Sequence, residues 1–370
     1  MPVRTMALDA TPLLGPRSGV GRYVMGLLDG LAQLDDAPDA LLALFSIRGE
    51  LSTPLPRRAR PAPRRAPARL LRRAWARWEW PPIELLTGRV DVFHGTNFVL
   101  PPLRRAAGIV TVHDLTYLYF PDMVTGDVAQ YSWLVPDAVR RAARVVTVSH
   151  SVADGISVEL GVPRDEIVVA HNGVDQSWFH AVPLSTRARG ENGLPERYLV
   201  FVGNLEPRKN LRTLIAAHAL ARRESKDVPQ LVVVGPPGWG DRWGSQEPDP
   251  ADAVILGYLP DDTLRSVVAG SVALCAPSRY EGFGLPVVEA LSTGTAVIAS
   301  DIAAHREVGG DLARYVAHDD VNAWAQAAVD ASQAPMDDPQ AVRARRQHAG
   351  RFTWAASAET HLAAYRAAIS

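Results

Sequence analysis

Ser278-Arg-Tyr-Glu-Gly-Phe-Gly-Leu-Pro-Val-Val-Glu-Ala-Leu-Ser-Thr-Gly294 comes just after the apolar run Val272-Ala-Leu-Cys-Ala276. A short apolar run bounded by turn residues reads as a buried parallel strand. Gly282 and Gly284 then open a loop in which the chain can take positive φ and approach a ligand closely. Pro286 suits the first position of a helix, where its missing N–H would have been an orphan anyway. Val287, Val288, Ala290 and Leu291 supply apolar cover, and Gly294 stands where a left-handed residue ends the helix. Strand, glycine loop and helix mouth in succession aim N–H groups and the positive end of a dipole at whatever lies above the sheet.

Two carboxylates punctuate this element, Glu281 in the loop and Glu289 in about the first turn of the helix. An acid in a first turn complements the helix dipole, which is one reading of Glu289. The other is functional: carboxylates beside a glycine loop at the carboxyl edge of a strand accept from sugar or ribose hydroxyls, while neighbouring N–H groups suit phosphate. Together they suggest a nucleotide-sugar site.

Glu281-Gly-Phe-Gly-Leu-Pro-Val-Val-Glu289 resembles the E-x7-E signature of retaining GT-B glycosyltransferases of family 4, which include bacterial mannosyltransferases. The resemblance covers nearly the whole chain. It implies two Rossmann-like α/β domains facing each other across a cleft, with a C-terminal helix crossing back to the first.

The 370 residues suffice for two such domains. A composition 47% hydrophobic and 21% charged fits a globular protein. A net charge of -1 gives no global argument for nucleic acid. The lone Cys275 permits no internal disulfide. With no leader pattern and no run of about 18 apolar residues, the chain reads as cytoplasmic.

In chain order, Val3–Leu8 reads as a first strand leading into Gly19-Val-Gly21-Arg22, with a helical pattern from about Tyr23 to Leu34. The spacing does not meet a G-x-G-x-x-G fingerprint. The loop is either a plain tight turn or, as the resemblance implies, a donor contact at Gly19 with Gly21 and Arg22 on the acceptor side. Leu41–Ile47 is a second strand. Pro56–Trp80 is unusual: nine arginines and no acid stand between Arg57 and Arg77. Its proline-rich first part reads as an open loop. From Ala68 onward it can be helical, with Leu71, Trp75 and Trp78 on one stripe. A basic amphipathic helix with tryptophan is the composition of an interfacial binder of anionic membrane. The alternative is a surface helix whose tryptophans dock on the domain.

Val90–His94, Ile109–His113 and Arg144–Ser149 are three strand-like runs with polar tips at the edge where open α/β sheets bind ligands. His94-Gly-Thr-Asn97 and His113-Asp114 are the informative tips; Asn97 is expected on the acceptor side, and the resemblance places His113 beside the donor sugar. Asp114 is read as a cap, and Ser149 or Ser151 as the N-cap of another helix. Residues 180–195 read as the linker, so the expected domains are 1–182, on the acceptor side, and 183–350, binding the donor. The returning helix is 351–370.

The second half begins with the strand Arg197–Gly203, followed by Asn204-Leu-Glu-Pro-Arg208-Lys209-Asn210. Arg208 and Lys209 are either surface charge or a grip on a diphosphate, the first by its planar fork and the second as a point charge. The resemblance favours the grip and adds Gly203 and Asn204 as donor contacts. The family commonly has arginine where this chain has Asn204. Gln230–Gly235 is a strand, Pro236–Pro250 a loop, and Val254–Pro260 a strand whose Tyr258 is expected at the nucleobase.

Arg208 and Lys209 would neutralise the leaving diphosphate, helped by the N–H groups after Gly284. Glu281 would hold hydroxyls of the transferred sugar and Glu289 the ribose, with Gly282, Phe283 and Leu285 beside them. The absence of any D-x-D argues against a dedicated metal, and no cofactor is expected. The expected reaction is therefore retaining transfer of a hexosyl unit, with mannosyl from GDP-mannose favoured, to a glycan or lipid-linked acceptor. A nucleotide-sugar epimerase and a non-catalytic nucleotide-sugar-binding module remain alternatives on the same fold.

Overall fold

The structure, a computed structural model, describes residues 3–15, 18–51, 54–124, 126–238, 253–333 and 338–370. Most of the expected Pro236–Pro250 loop, residues 239–250, lies outside the described residues. The chain divides into two compact units. One comprises Met1–Tyr119, Val124–Gly173 and Phe352–Ser370, the other Phe120–Met123 and Val174–Arg351.

The first unit is built on a seven-stranded sheet. Its strands are β1 (Thr5–Asp9), β2 (Asp39–Ala43), β3 (Ala59–Pro61), β4 (Val92–Gly95), β5 (Ala107–Val112), β6 (Arg144–Thr147) and β7 (Ile167–Val169). All pairings are parallel and the order is β3-β2-β1-β4-β5-β6-β7. A parallel sheet covered on both faces needs near-continuous apolar strands, and Met6, Leu8, Val92, Phe93, Ile109 and Val110 are all fully buried. The winding reverses between β1 and β4, which opens a crevice at the carboxyl ends of these two strands.

The second unit has β8 (Tyr198–Val202), β9 (Gln230–Val234), β10 (Ala253–Gly257), β11 (Ala273–Ala276), β12 (Ala296–Ser300) and β13 (Arg314–Val316). These form a parallel sheet in the order β10-β9-β8-β11-β12-β13. Its reversal falls between β8 and β11, so the loops after those two strands flank the crevice.

The sequence left out β3 and β13. Both are three-residue edge strands, too short for a hydrophobic period, and β3 lies in the segment read as an open loop. Pro61 is tolerated there because an edge strand need not donate on its outer side. Helix α1 (Gly19–Ala32) starts earlier than the pattern implied, with the Ser18 hydroxyl accepting from Gly21 N–H at 3.1 Å. Gly19 and Gly21 are therefore first-turn helical residues, not a glycine turn. A Cβ on Gly21 would lie 2.8 Å from the Pro12 carbonyl oxygen, so this position needs glycine for closeness.

The C-terminal helix, Trp354–Ala368, lies on α1 within the first unit. Its Trp354 fills a cradle that three glycines leave open. A Cβ on Gly26 would meet the Trp354 ring at 2.1 Å, on Gly30 its carbonyl oxygen at 2.2 Å, and on Gly173 its amide at 2.3 Å. Below it runs a buried polar chain. Tyr23 Oη lies 2.7 Å from His361 Nε2 and 2.8 Å from Thr111 Oγ1, which is 2.7 Å from His94 Nε2. His94 Nδ1 in turn lies 2.9 Å from Tyr365 Oη. Burial drives His361 down to about 4 and His94 well below its ordinary range, so both rings are neutral. This chain keys the returning helix to the strand tips.

Candidate active site

The chemistry of the second unit gathers at its β8/β11 crevice. After β8 a short 3-10 turn, Pro207–Lys209, is closed by Asn210 in the left-handed conformation at φ 55°. The Asn210 amide donates to the carbonyls of Pro277 at 3.1 Å and His318 at 2.6 Å, and its oxygen accepts from Thr213. A backbone bond from Arg279 N–H to the Arg208 carbonyl, 2.9 Å, ties the two loops together. Two segments more than 60 residues apart in sequence thus hold their charged side chains in one place.

Lys209 Nζ donates to Glu281 Oε1 at 2.6 Å, and the Ser278 hydroxyl donates to the same oxygen at 2.6 Å. Arg208 Nη1 donates to Glu281 Oε2 at 2.9 Å and to the Tyr280 carbonyl at 2.7 Å, while its Nη2 reaches Glu206 Oε1 at 2.7 Å. All four charged side chains are at most 14% exposed. Burial by itself would raise the Glu281 carboxyl. Lys209 and Arg208, with a smaller contribution from His305, outweigh that and hold it far below the usual carboxylate range. A carboxylate offers about four lone-pair positions. Three of Glu281's are taken, leaving about one for a ligand hydroxyl.

Above this cluster opens α2 (Leu285–Thr293), entered through Gly284 at φ 100° and closed by Gly294 at φ 88°. Of the loop, Gly284 takes positive φ. A Cβ on Gly284 would sit 3.1 Å from the His305 ring. His305 Nδ1 donates to the Ser300 carbonyl at 3.0 Å, which leaves Nε2 as the acceptor of a buried ring. Burial lowers its pKa, which the nearby Glu281 only partly opposes.

The helix begins at Leu285, so Pro286 is its second residue, where the N–H is also an orphan. Glu289 is the fifth residue, past the first turn, and is 5% exposed. The dipole explanation for it therefore weakens.

Arg208, Lys209, Glu281, Gly282, Phe283, Gly284 and Leu285 are brought to this crevice, with Glu289 on the helix behind it. Gly203 closes β8, with its N–H on the Val234 carbonyl at 3.0 Å, and Asn204 is exposed beyond it. Tyr258 is 60% exposed at the end of β10. Glu206, Ser278 and His305 belong to the site and were not singled out in the sequence. The first two were legible as an acid two residues before Arg208 and a hydroxyl three residues before Glu281. His305, five residues beyond β12, had no local signal.

In the first unit His113 follows β5. Its Nε2–H donates to the Thr96 carbonyl at 2.8 Å, which fixes Nδ1 as the acceptor, and burial lowers its pKa. Tyr23 stands edge-on to it at 4.8 Å. Asp114 caps the turn that follows, accepting from Thr116 N–H. Asn97 borders a cavity at the β1/β4 crevice. Arg22 is on the next turn of α1, its N–H bonded to the Ser18 carbonyl.

The arginine-rich segment divides. Its helix, Ala68–Trp78, buries Leu71, and the Trp75 indole donates to the Pro81 carbonyl at 2.9 Å with Phe45 edge-on. Leu70, Trp78 and Trp80 are more than half exposed, beside exposed Arg69, Arg73 and Arg77. The stripe read from the sequence is thus broken, with Trp78 facing out.

Two family models match the chain. Residues 17–178 match glycosyltransferase family 4, and residues 196–333 match glycosyl transferases group 1. O-antigen chain mannosyltransferase B of Escherichia coli is 30% identical over 63% of this chain and 62% of its own length. O-antigen chain mannosyltransferase RfbU of Salmonella typhimurium is 30% identical over 65% of this chain and 64% of its own. The matches thus span rather less than two thirds of those relatives. Sucrose-phosphate synthase from Thermosynechococcus elongatus shares the fold, with a TM-score of 0.70 over 98% of both chains at 18% identity. Residues 17–178 are thus a family 4 glycosyltransferase domain and residues 196–333 a group 1 glycosyltransferase domain, on the GT-B fold that the E-x7-E stretch implied.

Proposed function

We propose that this glycosyltransferase moves a hexosyl unit, with retention, from a nucleoside diphosphate sugar to a glycan or lipid-linked acceptor. GDP-mannose is the favoured donor, in keeping with the two mannosyltransferases it resembles. The observation that carries the reading is Glu281 held between Arg208 and Lys209 at the strand-order reversal, under the N-terminus of α2.

Bonds to Glu206, Glu281 and the Tyr280 carbonyl hold Arg208 and Lys209 in place before any ligand arrives. Fixed cations and helix N–H groups stabilise charge growing on a leaving diphosphate without reorganising. Among the described residues Lys209 makes no side-chain hydrogen bond other than that to Glu281, so further ammonium donors remain for phosphate oxygens. The last lone pair of Glu281 takes a hydroxyl of the transferred sugar, and Glu289 serves the ribose. No metal is required in this scheme, because Arg208, Lys209 and the helix N–H groups supply the hydrogen-bond donors for the diphosphate oxygens.

Exposed Leu70, Trp78 and Trp80 among arginines support a further proposal, that the enzyme rests on anionic membrane at the inner face of the cell membrane. No helix among the described residues is long and apolar enough to cross a membrane.

A thermal-shift and turnover screen with GDP-mannose, UDP-glucose and dTDP-rhamnose tests the donor. GDP-mannose should give the largest shift, and nucleoside diphosphate release should persist in excess chelator. Abolition by chelator would overturn the metal-independent scheme.

A further inference from the structure

The β1/β4 crevice of the first unit holds a cavity of about 240 Å³ that the donor chemistry leaves unused. It is smaller than the roughly 300–1,000 Å³ of drug-sized sites, which suits one ring. Phe45, Trp75 and Tyr131 give it aromatic walls, and Asp9, Asn97 and Arg72 give it polar groups. That mixture, apolar faces with a few placed acceptors and donors, suits a polyhydroxylated ring.

The position of each group has a physical cause. Asp9 ends β1 at the reversal point, held by Thr11 N–H on Oδ1 at 2.9 Å, and its carbonyl accepts from Thr96 beyond β4 at 2.6 Å. Burial raises its carboxyl, against which Thr11 and the Arg72 charge act. Arg72 comes from the arginine-rich helix, and among the described residues its guanidinium makes no hydrogen bond or ion pair. A second cavity, of about 460 Å³, shares Arg72, Trp75 and Val99 with the first. The unengaged guanidinium therefore stands on a rim common to both.

We propose that the smaller cavity seats an acceptor ring with one hydroxyl on Asp9, and that Arg72 reads an anionic group on that ring, with the remainder of the acceptor continuing into the larger cavity. Taking the ring for the acceptor rests on the glycosyltransferase reading. The anion is a phosphate that links the ring onward or a carboxylate of an acidic sugar, and Arg72 would grip either one bidentately.

Titrations with mannose, mannose 6-phosphate and glucuronic acid decide the matter in wild type, Arg72→Met and Asp9→Asn. Melting temperatures serve as the check on folding. At least one anionic sugar should bind the wild type about tenfold more tightly than mannose, the scale of a charge-assisted bond. Arg72→Met should erase that advantage, and Asp9→Asn should weaken all three sugars alike. A preference for the phosphate indicates a phosphate-linked acceptor, and a preference for the uronate an acidic glycan. Equal binding of mannose, an advantage that survives Arg72→Met, or no binding of either anionic sugar at millimolar concentration overturns the proposal. Failure of the wild type to bind any nucleoside diphosphate would instead count against the donor reading and leave the Arg72 result standing.

Discussion

Both sheets reverse their winding next to their first strand, yet the two crevices are furnished in opposite ways. At β8/β11 the second unit concentrates four charges, nearly buried and mutually bonded. At β1/β4 the first unit has aromatic walls, one carboxylate, the Arg72 guanidinium and a cavity. Topology supplies the same opening twice, and side-chain chemistry furnishes one with bonded charge pairs and the other with aromatic walls around Asp9 and Arg72. The polar chain from Tyr23 to His361 shows the same contrast, since it reaches satisfaction with no charge at all.

The sharpest way to break this contrast is to unbalance the charged crevice. Arg208→Met would leave Glu206 and Glu281 buried without their shared cation, and should cost about 3–5 kcal/mol of stability in chemical denaturation. Lys209→Met should keep more of the fold and lower turnover about 10²–10³-fold, the effect of removing one preorganised donor. A tenfold or smaller loss would mean that Lys209 is only structural.

A smaller effect is expected where the C-terminal helix meets α1. Gly30→Ala forces a methyl against a backbone carbonyl and should cost about 1–3 kcal/mol, whereas Gly19→Ala, with no atom within 4 Å, should be near neutral. Equal melting temperatures for the two would remove the cradle from the account.

The neutral chain predicts a pH dependence of definite sign. Folded His361, near 4, binds its proton less well than the unfolded ring at about 6.5. The unfolded state therefore takes up more protons between those values. This contribution is fully present above about pH 6.5 and is lost progressively as the pH falls toward 4. His361→Gln should flatten the melting-temperature profile across that window. The smallest effect concerns the surface: Trp78→Ala with Trp80→Ala should weaken co-sedimentation with acidic-lipid vesicles severalfold and leave the melting temperature unchanged.

Alternating apolar runs and glycine loops were enough to read two α/β halves, because each parallel strand must be apolar throughout and each helix mouth carries local signals. The loops that carry Glu281, the Arg208-Lys209 pair and His113 were legible for the same reason, whereas their expected roles came from the resemblance. The structure alone brought Glu206, Ser278 and His305 into the site, set Glu289 beyond the first helical turn and divided the Trp75 and Trp78 faces. It also put Arg72 on the rim of a cavity. Loops that follow β8 and β11 become neighbours only when the sheet is wound, and a guanidinium is partnered or unpartnered only by what the folded chain sets beside it. Local pattern therefore determined which elements form, while long-range packing decided which charges meet.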